Sequence, residues 1–205
     1  MSRFILELPF KGSRDYLHST NIFSALEKIG EDRFESGAFI RSLMLRRPMR
    51  RAILAVFERP ADAAGSFVIQ TRTEQVTGWL VESGLPVSRR VPFDSSPLSA
   101  MAVVGDGMVL VRSAVAGHTL IDVVVGLMKK LTEQLPVAAG SGQWWLCQLD
   151  LEMPLREVYP IEVRIRRVVG DQCLLVDLVQ GGERVGSARF IWAEGVREDS
   201  ASQTG

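Results

Sequence analysis

Among 205 residues the chain has only two cysteines, Cys147 and Cys173, and only two histidines, His18 and His118. The cysteines form no CxxC pair and have no neighbouring histidine, so a disulfide framework and a zinc site are both excluded. Both thiols are expected as small apolar core residues, and neither a metal nor a cofactor is expected. Net charge is also missing: Lys and Arg number 24, and so do Asp and Glu. No global attraction then draws the chain to nucleic acid or to an anionic membrane. No uncharged apolar run approaches the roughly 18 residues of a membrane span. The stretch Met1 to Pro9 is broken by Glu7 and Pro9 and is too short for a signal peptide, so the expected location is the cytoplasm. Gly105-Asp106-Gly107 lacks the third glycine and the helix of a dinucleotide motif, and no HExxH occurs. Ser13, Ser19 and Ser141 lie in no nucleophile-elbow sequence.

What the chain does have is apolar residues, 46% of the total, enough for a sizeable core. It also has one structural pattern that recurs. Tyr16 to Ile22 opens a short helical pattern, Gly117 to Asp122 opens another, and strand-like segments follow each. Ile22, Ala25, Leu26 and Ile29 share one helical face, with Gly30 placed as a stop and Ser19 or Thr20 as a cap. The second helix, expected over 119–135, carries the stripe Leu120, Val124, Leu127, Leu131 and Leu135, widened by Ile121, Val123, Val125 and Met128. A helix apolar on most sides must be enclosed by other elements.

Strands are expected over 4–10, 38–46, 52–58 and 66–81, the last long enough to bend at Gly78. Further strands are expected over 100–104, 108–111, 144–152, 161–169, 173–180 and 184–192, with hairpin turns at Gly105-Asp106-Gly107 and Gly181-Gly182. Pro86, Pro92 and Pro97 forbid a continuous helix or central strand between the two patterns. The expected organisation is an N-terminal half over 1–84, a linker over 85–99, a C-terminal half over 100–196 and a disordered tail over 197–205. Leu45-Arg46-Arg47-Pro48 answers Leu151-Glu152-Met153-Pro154, and Glu74-Gln75-Val76 answers Glu183-Arg184-Val185, in the same order along both halves.

A mostly apolar helix wrapped by an antiparallel sheet, written in tandem, resembles the hotdog fold of acyl-thioester enzymes. The second half carries the better likeness, from Gly117-His118-Thr119-Leu120-Ile121-Asp122 through the apolar helix to the closing hairpin Leu174 to Trp192. The resemblance implies an α+β, tandem double hotdog, with two central helices each wrapped by an antiparallel β-sheet. It implies an acyl-CoA or acyl carrier protein thioester as partner, with pairing of two copies into a homodimer left open. Thioester hydrolysis is placed slightly ahead of β-hydroxyacyl dehydration, and a non-catalytic binding or scaffold protein is the rival class. Two unrelated α+β domains with separate cores are a third reading.

Asp122 and His18 are the candidate catalytic residues. A carboxylate or imidazole can activate water or shuttle a proton, and N–H groups at a helix start can stabilise a thioester oxygen. Thr119 to Asp122 also has capping-box spacing, which gives Asp122 a purely structural alternative. Asp15 is placed to orient His18, whereas Ser19, Thr20 and Asn21 are equally what a helix start prefers. Asp15, Asn21, Gly117, His118 and Thr119 are the candidate substrate-binding residues. The basic run Arg46-Arg47-Pro48-Met49-Arg50-Arg51 suits a coenzyme phosphate or an acidic carrier protein, or simply a solvated hairpin.

Overall fold

The computed structural model describes residues 3–135, 142–170 and 172–194. β1 (Arg3–Leu6) and the two-residue β2 (Phe10–Lys11) lead into α1 (Ser19–Arg33). Then come β3 (Phe39–Leu45), β4 (Arg51–Val56), β5 (Gly65–Gln70), β6 (Gln75–Pro86), β7 (Arg90–Val91) and the short α2 (Ser96–Met101). The chain continues through β8 (Val103–Gly105), β9 (Met108–Val111), α3 (Leu120–Thr132), β10 (Gly142–Leu151), β11 (Ile161–Val169), β12 (Cys173–Gln180) and β13 (Glu183–Glu194). Helix and antiparallel strand together confirm the α+β reading, and no described helix is long and apolar enough to cross a membrane.

Eleven strands form one sheet in the order β1-β4-β6-β5-β3-β10-β13-β12-β11-β9-β8. Its centre is the antiparallel pair β3 and β10, each the first strand after a long helix, in register at Leu43 and Leu149. The Ser42 hydroxyl donates to Asp150 across this seam at 2.6 Å, and the Arg41 guanidinium donates to the Leu151 carbonyl. β2 and β7 stand apart as a parallel pair.

α1 packs on β3 and α3 on β9, β10 and β11, and the two helices touch each other. Ile22, Phe23 and Leu26 of α1 are fully buried, as are Val124, Leu127 and Leu131 of α3. Burying one such side chain contributes roughly 1.5–3 kcal/mol before entropy is subtracted. These side chains belong to one continuous core with residues from both sheet halves. Separate cores on either side of the proline-rich segment, the third reading, are therefore ruled out.

Several local expectations are corrected. The strand expected over 66–81 is two strands, β5 and β6, in antiparallel register from Gly65–Leu80 to Gln70–Gln75. Thr71 closes the turn: its N–H donates to the Glu74 carbonyl, and its hydroxyl accepts from the Glu74 N–H at 3.0 Å. A hydroxyl-closed turn without glycine or proline leaves no punctuation in the sequence. Gly78 makes no bend; a Cβ there would lie 2.2 Å from the Phe67 ring. Gly30 does not stop α1, which runs on to Arg33. α3 ends at Thr132, short of the expected 135. Pro97 occupies the first turn of α2, where a missing N–H costs nothing, and Ala100 is helical instead of extended. The Gly181-Gly182 turn is as expected, with both residues at positive φ, where L side chains are strained. Cys147 and Cys173 are partly buried, not fully, and the Cys147 thiol donates to the Arg189 carbonyl at 3.4 Å. Residues 197–205, expected to be frayed, lie outside the described residues.

Candidate functional site

The two helix starts meet, and they are built differently. At α3, Thr119 is the N-cap and its hydroxyl accepts from the Asp122 N–H at 3.3 Å. The Asp122 carboxylate answers by accepting from the Thr119 N–H and hydroxyl, at 3.3 and 2.9 Å. The capping box expected from the sequence is therefore formed. Lys11 of β2 then donates its ammonium to the other carboxylate oxygen at 2.5 Å, and both side chains are nearly buried. Hydrogen bonds from Lys11, Thr20 and Thr119 outweigh the desolvation that opposes them and hold Asp122 below the usual carboxylate range.

At α1 the N-cap is His18, and no side chain caps the helix. Neither Ser19 nor Thr20 fills that role. The Thr20 hydroxyl is turned instead toward the other helix, accepting from Lys11 at 3.0 Å and meeting His18 Nδ1 at 2.8 Å. It also helps to hold Asp122 in its ionised form. Burial, followed by the positive charges of Arg14 and Lys11, lowers the His18 imidazole from 6.5 to about 3. His18 is therefore neutral throughout the physiological range.

Asp15 does not orient His18. It is exposed and pairs with Arg50 at 3.0 Å, so Thr20 takes the orienting place. Asn21 donates its side-chain amide to the Pro9 carbonyl at 3.2 Å and lines neither of the cavities around His18. Gly117 adopts φ 76° and lets the chain turn into α3 without touching either cavity. Thr119 is spent on the cap. His118 is brought in after all: its ring lies 5.7 Å from Phe93, which also lies 6.1 Å from the His18 ring. In the basic run, Arg50 pairs with Asp15, Arg51 donates to the Gly84 carbonyl and Arg47 lies 3.6 Å from Glu82.

Two cavities meet at His18. The first, about 210 Å³, is bordered by Ile22, Leu45, Met49 and Phe190, with Arg47 and Gln143 also on its wall and Ser19 at the start of α1. Trp144 and Trp192, cross-strand partners on β10 and β13 packed edge to face at 5.8 Å, border it without filling it. The second, about 320 Å³, is the more polar and is bordered by Phe93, His118, Asp122 and Lys130. Arg14, His18, Val125 and Lys129 border both.

Sequence reasoning missed Lys11, Arg14 and Phe93, and it read Thr20 only as a cap. Lys11 and Asp122 are 111 positions apart, and no local pattern joins them. Phe93 lay within the proline-rich join, which carries no periodic signal.

No family model matches the chain, and no curated protein matches it in sequence. Solved structures do match in shape. The dehydratase domain of PpsC from Mycobacterium tuberculosis, in complex with C12:1-CoA, aligns with a TM-score of 0.50 at 11% identity, over 93% of this chain and 88% of that one. A dehydratase-cyclase domain from ambruticin biosynthesis aligns at 0.45 and 11% identity, over 94% and 90%. A structure assigned as a thioesterase II from Thermobifida fusca YX aligns at 0.44 and 12% identity, over 88% of each chain. The chain has the hotdog fold, with its subfamily unresolved.

Proposed function

We propose that the chain is a tandem double hotdog whose halves, 1–84 and 100–196, enclose one acyl-thioester site, and that His18 is its general base in thioester hydrolysis. The observation that carries this reading is the placing of His18: its Nδ1 meets the Thr20 hydroxyl at 2.8 Å, and its ring borders a cavity at a helix start with no side-chain cap. An acyl chain in the cavity brings the thioester carbonyl to the first-turn N–H groups of α1, whose positive end favours the developing oxyanion. His18 Nε2 takes a proton from water as the oxygen adds to the carbonyl carbon. When the intermediate collapses, the C–S bond breaks and the imidazolium returns that proton to the departing thiolate. One proton carrier suffices; Thr20 holds its Nδ1, and Lys11 ties Thr20 to Asp122.

Dehydration of a β-hydroxyacyl thioester is the second reading. It is favoured by the meeting of an imidazole from one half and a carboxylate from the other at a single threonine. It requires Asp122 to carry a proton to the departing hydroxyl, and Lys11 opposes that by stabilising the ionised form. A scaffold would have little use for an open cavity at the base.

The test is a panel of acyl- and 3-hydroxyacyl-thioesters followed for thiol release and for enoyl absorbance. Thiol release that falls at least about a hundredfold in His18→Ala, with the fold retained, is expected. Enoyl formation without thiol release would transfer the assignment to dehydration. Silence in both channels would remove catalysis.

A further inference from the structure

We infer that the cavity beside the start of α1 takes an acyl group carrying a hydrogen-bond-accepting oxygen, which the indole N–H groups of Trp145 and Trp192 bind. This rests on the proposed thioester site and names the class of acyl group that it reads.

The polar groups on the border of this cavity are of two kinds. Some are spent: Gln143 donates its amide to the Tyr16 hydroxyl at 2.8 Å, and the Thr132 hydroxyl donates to the Lys129 carbonyl at 2.7 Å. The indole nitrogens of Trp145 and Trp192 are not. Both nitrogens are shut off from solvent, and neither has a hydrogen-bond partner. Both residues border the cavity, and Trp145 is only 7% exposed. Trp192 shares one face of β13 with Phe190, another residue of the same border.

An indole nitrogen can only donate. A buried indole N–H normally finds an acceptor, and leaving it without one costs the folded chain stability. Phenylalanine or leucine would fill the same wall without that cost. Among the described residues, no carboxylate borders this cavity. The acceptor is then supplied by what enters it.

The placing of the donors separates that acceptor from the reacting carbonyl. The thioester lies at the start of α1, where His18 and Ser19 border the cavity, whereas the indoles belong to β10 and β13. The oxygen they bind is a second one, carried by the acyl group away from the thioester. A plain alkyl chain leaves both donors unpaired, so discrimination against it is built into the wall. A ketone, ester or ether oxygen satisfies them, and a group that only donates does not.

The experiment compares a hexanoyl thioester with its 4-oxo and 5-oxo analogues on one thiol, in wild type, Trp145→Phe and Trp192→Phe. Phenylalanine keeps an aromatic ring and removes the N–H, and thermal melting confirms folding. In wild type, kcat/KM for at least one keto analogue is expected to exceed that for the plain chain by roughly tenfold or more. That ratio should shrink in both variants. A second readout needs no turnover: NMR of the indole N–H signals in isotope-labelled wild type, with the corresponding amides in place of the thioesters. The Trp145 and Trp192 signals should move with a keto amide and not with the plain one, while Trp79, away from the cavity border, stays put.

Equal kcat/KM across the series, or unmoved indole signals, would mean that the two N–H groups meet water only. Either result would overturn the inference and leave hydrolysis intact. A keto preference that survives both substitutions would put the oxygen elsewhere and overturn it as well. Moved signals without turnover of any thioester would support the acceptor site and remove the hydrolase. Neither movement nor turnover would end both, and if a variant fails to fold, the wild-type NMR comparison decides.

Discussion

The starts of α1 and α3 occupy comparable places, each opening a long helix that leads into one of the two central strands, yet they are finished in opposite ways. α3 has a complete capping box, with a carboxylate carrying bonds from Thr119 and Lys11. α1 has an imidazole at the N-cap and no capping side chain. A satisfied helix end contributes stability and has little capacity left for a ligand. An unsatisfied end gives up about 1 kcal/mol of capping and keeps its N–H groups for a substrate oxygen. The difference assigns work: α3 holds the site together, and α1 presents it.

The sharpest way to break that comparison is to strip α3. Asp122→Ala removes the box and leaves the Lys11 ammonium nearly buried without its counter-ion. A loss of about 3–5 kcal/mol in chemical denaturation is expected. A loss under about 1 kcal/mol would mean that Lys11 swings out to water and that the pair is not structural.

Smaller and opposite in sign is the change at α1. His18→Ser supplies the missing cap and is expected to stabilise the fold by about 0.5–1 kcal/mol while turnover is lost. A destabilised His18→Ser protein would show that the ring, not the cap, holds α1 in place.

The state of the base gives a third test. Because His18 is neutral down to about pH 3, kcat/KM for hydrolysis should show no acid limb near 6.5. An inflection there would mean that the imidazole is as basic as in water. The linked stability effect has a defined sign. The folded protein binds the proton more weakly than the unfolded chain, so stability contributed by neutral His18 is present above about 6.5 and falls as pH drops towards 3. His18→Gln should flatten that fall.

The smallest expected effect lies further along α1. Burial first, and then Glu31, raise the Glu27 carboxyl from 4.5 to about 7. Here the folded protein holds its proton more tightly, so stability is full below about 4.5 and declines as pH rises through 7. Glu27→Gln should therefore stabilise the protein at pH 8 and make no difference at pH 4, by thermal melting at both values. An equal gain at both would point to packing and not to ionisation.

Much of the fold was legible because its signals are local. The apolar stripe of α3, the Gly181-Gly182 turn and the Thr119–Asp122 box each lie within a few residues of one another, where side-chain period and turn chemistry act. What failed was also local but unpunctuated, as at Thr71, or depended on a tertiary neighbour, as at Gly78. Gly30 and Gly78 read as a stop and a bend; at Gly78 the Phe67 ring supplies the reason for a missing Cβ, and Gly30 lies within a helix that simply runs on.

The site was legible as two residues and illegible as a mechanism. His18 and Asp122 stand out by type and by position at a helix start, and both border one cavity. The strand order about the centre was beyond reach: β4 and β5 flank β6 in the first half, while β11, β12 and β13 lie in sequence order in the second. That choice rests on long-range pairing, which no hydrophobic alternation specifies.

The sequence by itself determined an α+β chain with two helix starts and the composition of a packed core, because periodicity and capping are short-range physics. Only the tertiary structure decided that Lys11 and Thr20 join those starts, that burial keeps His18 neutral, and that one helix end stays open. Hydrogen bonding, desolvation and the charge of distant residues settle a proton's place, and each of these exists only once the chain has folded.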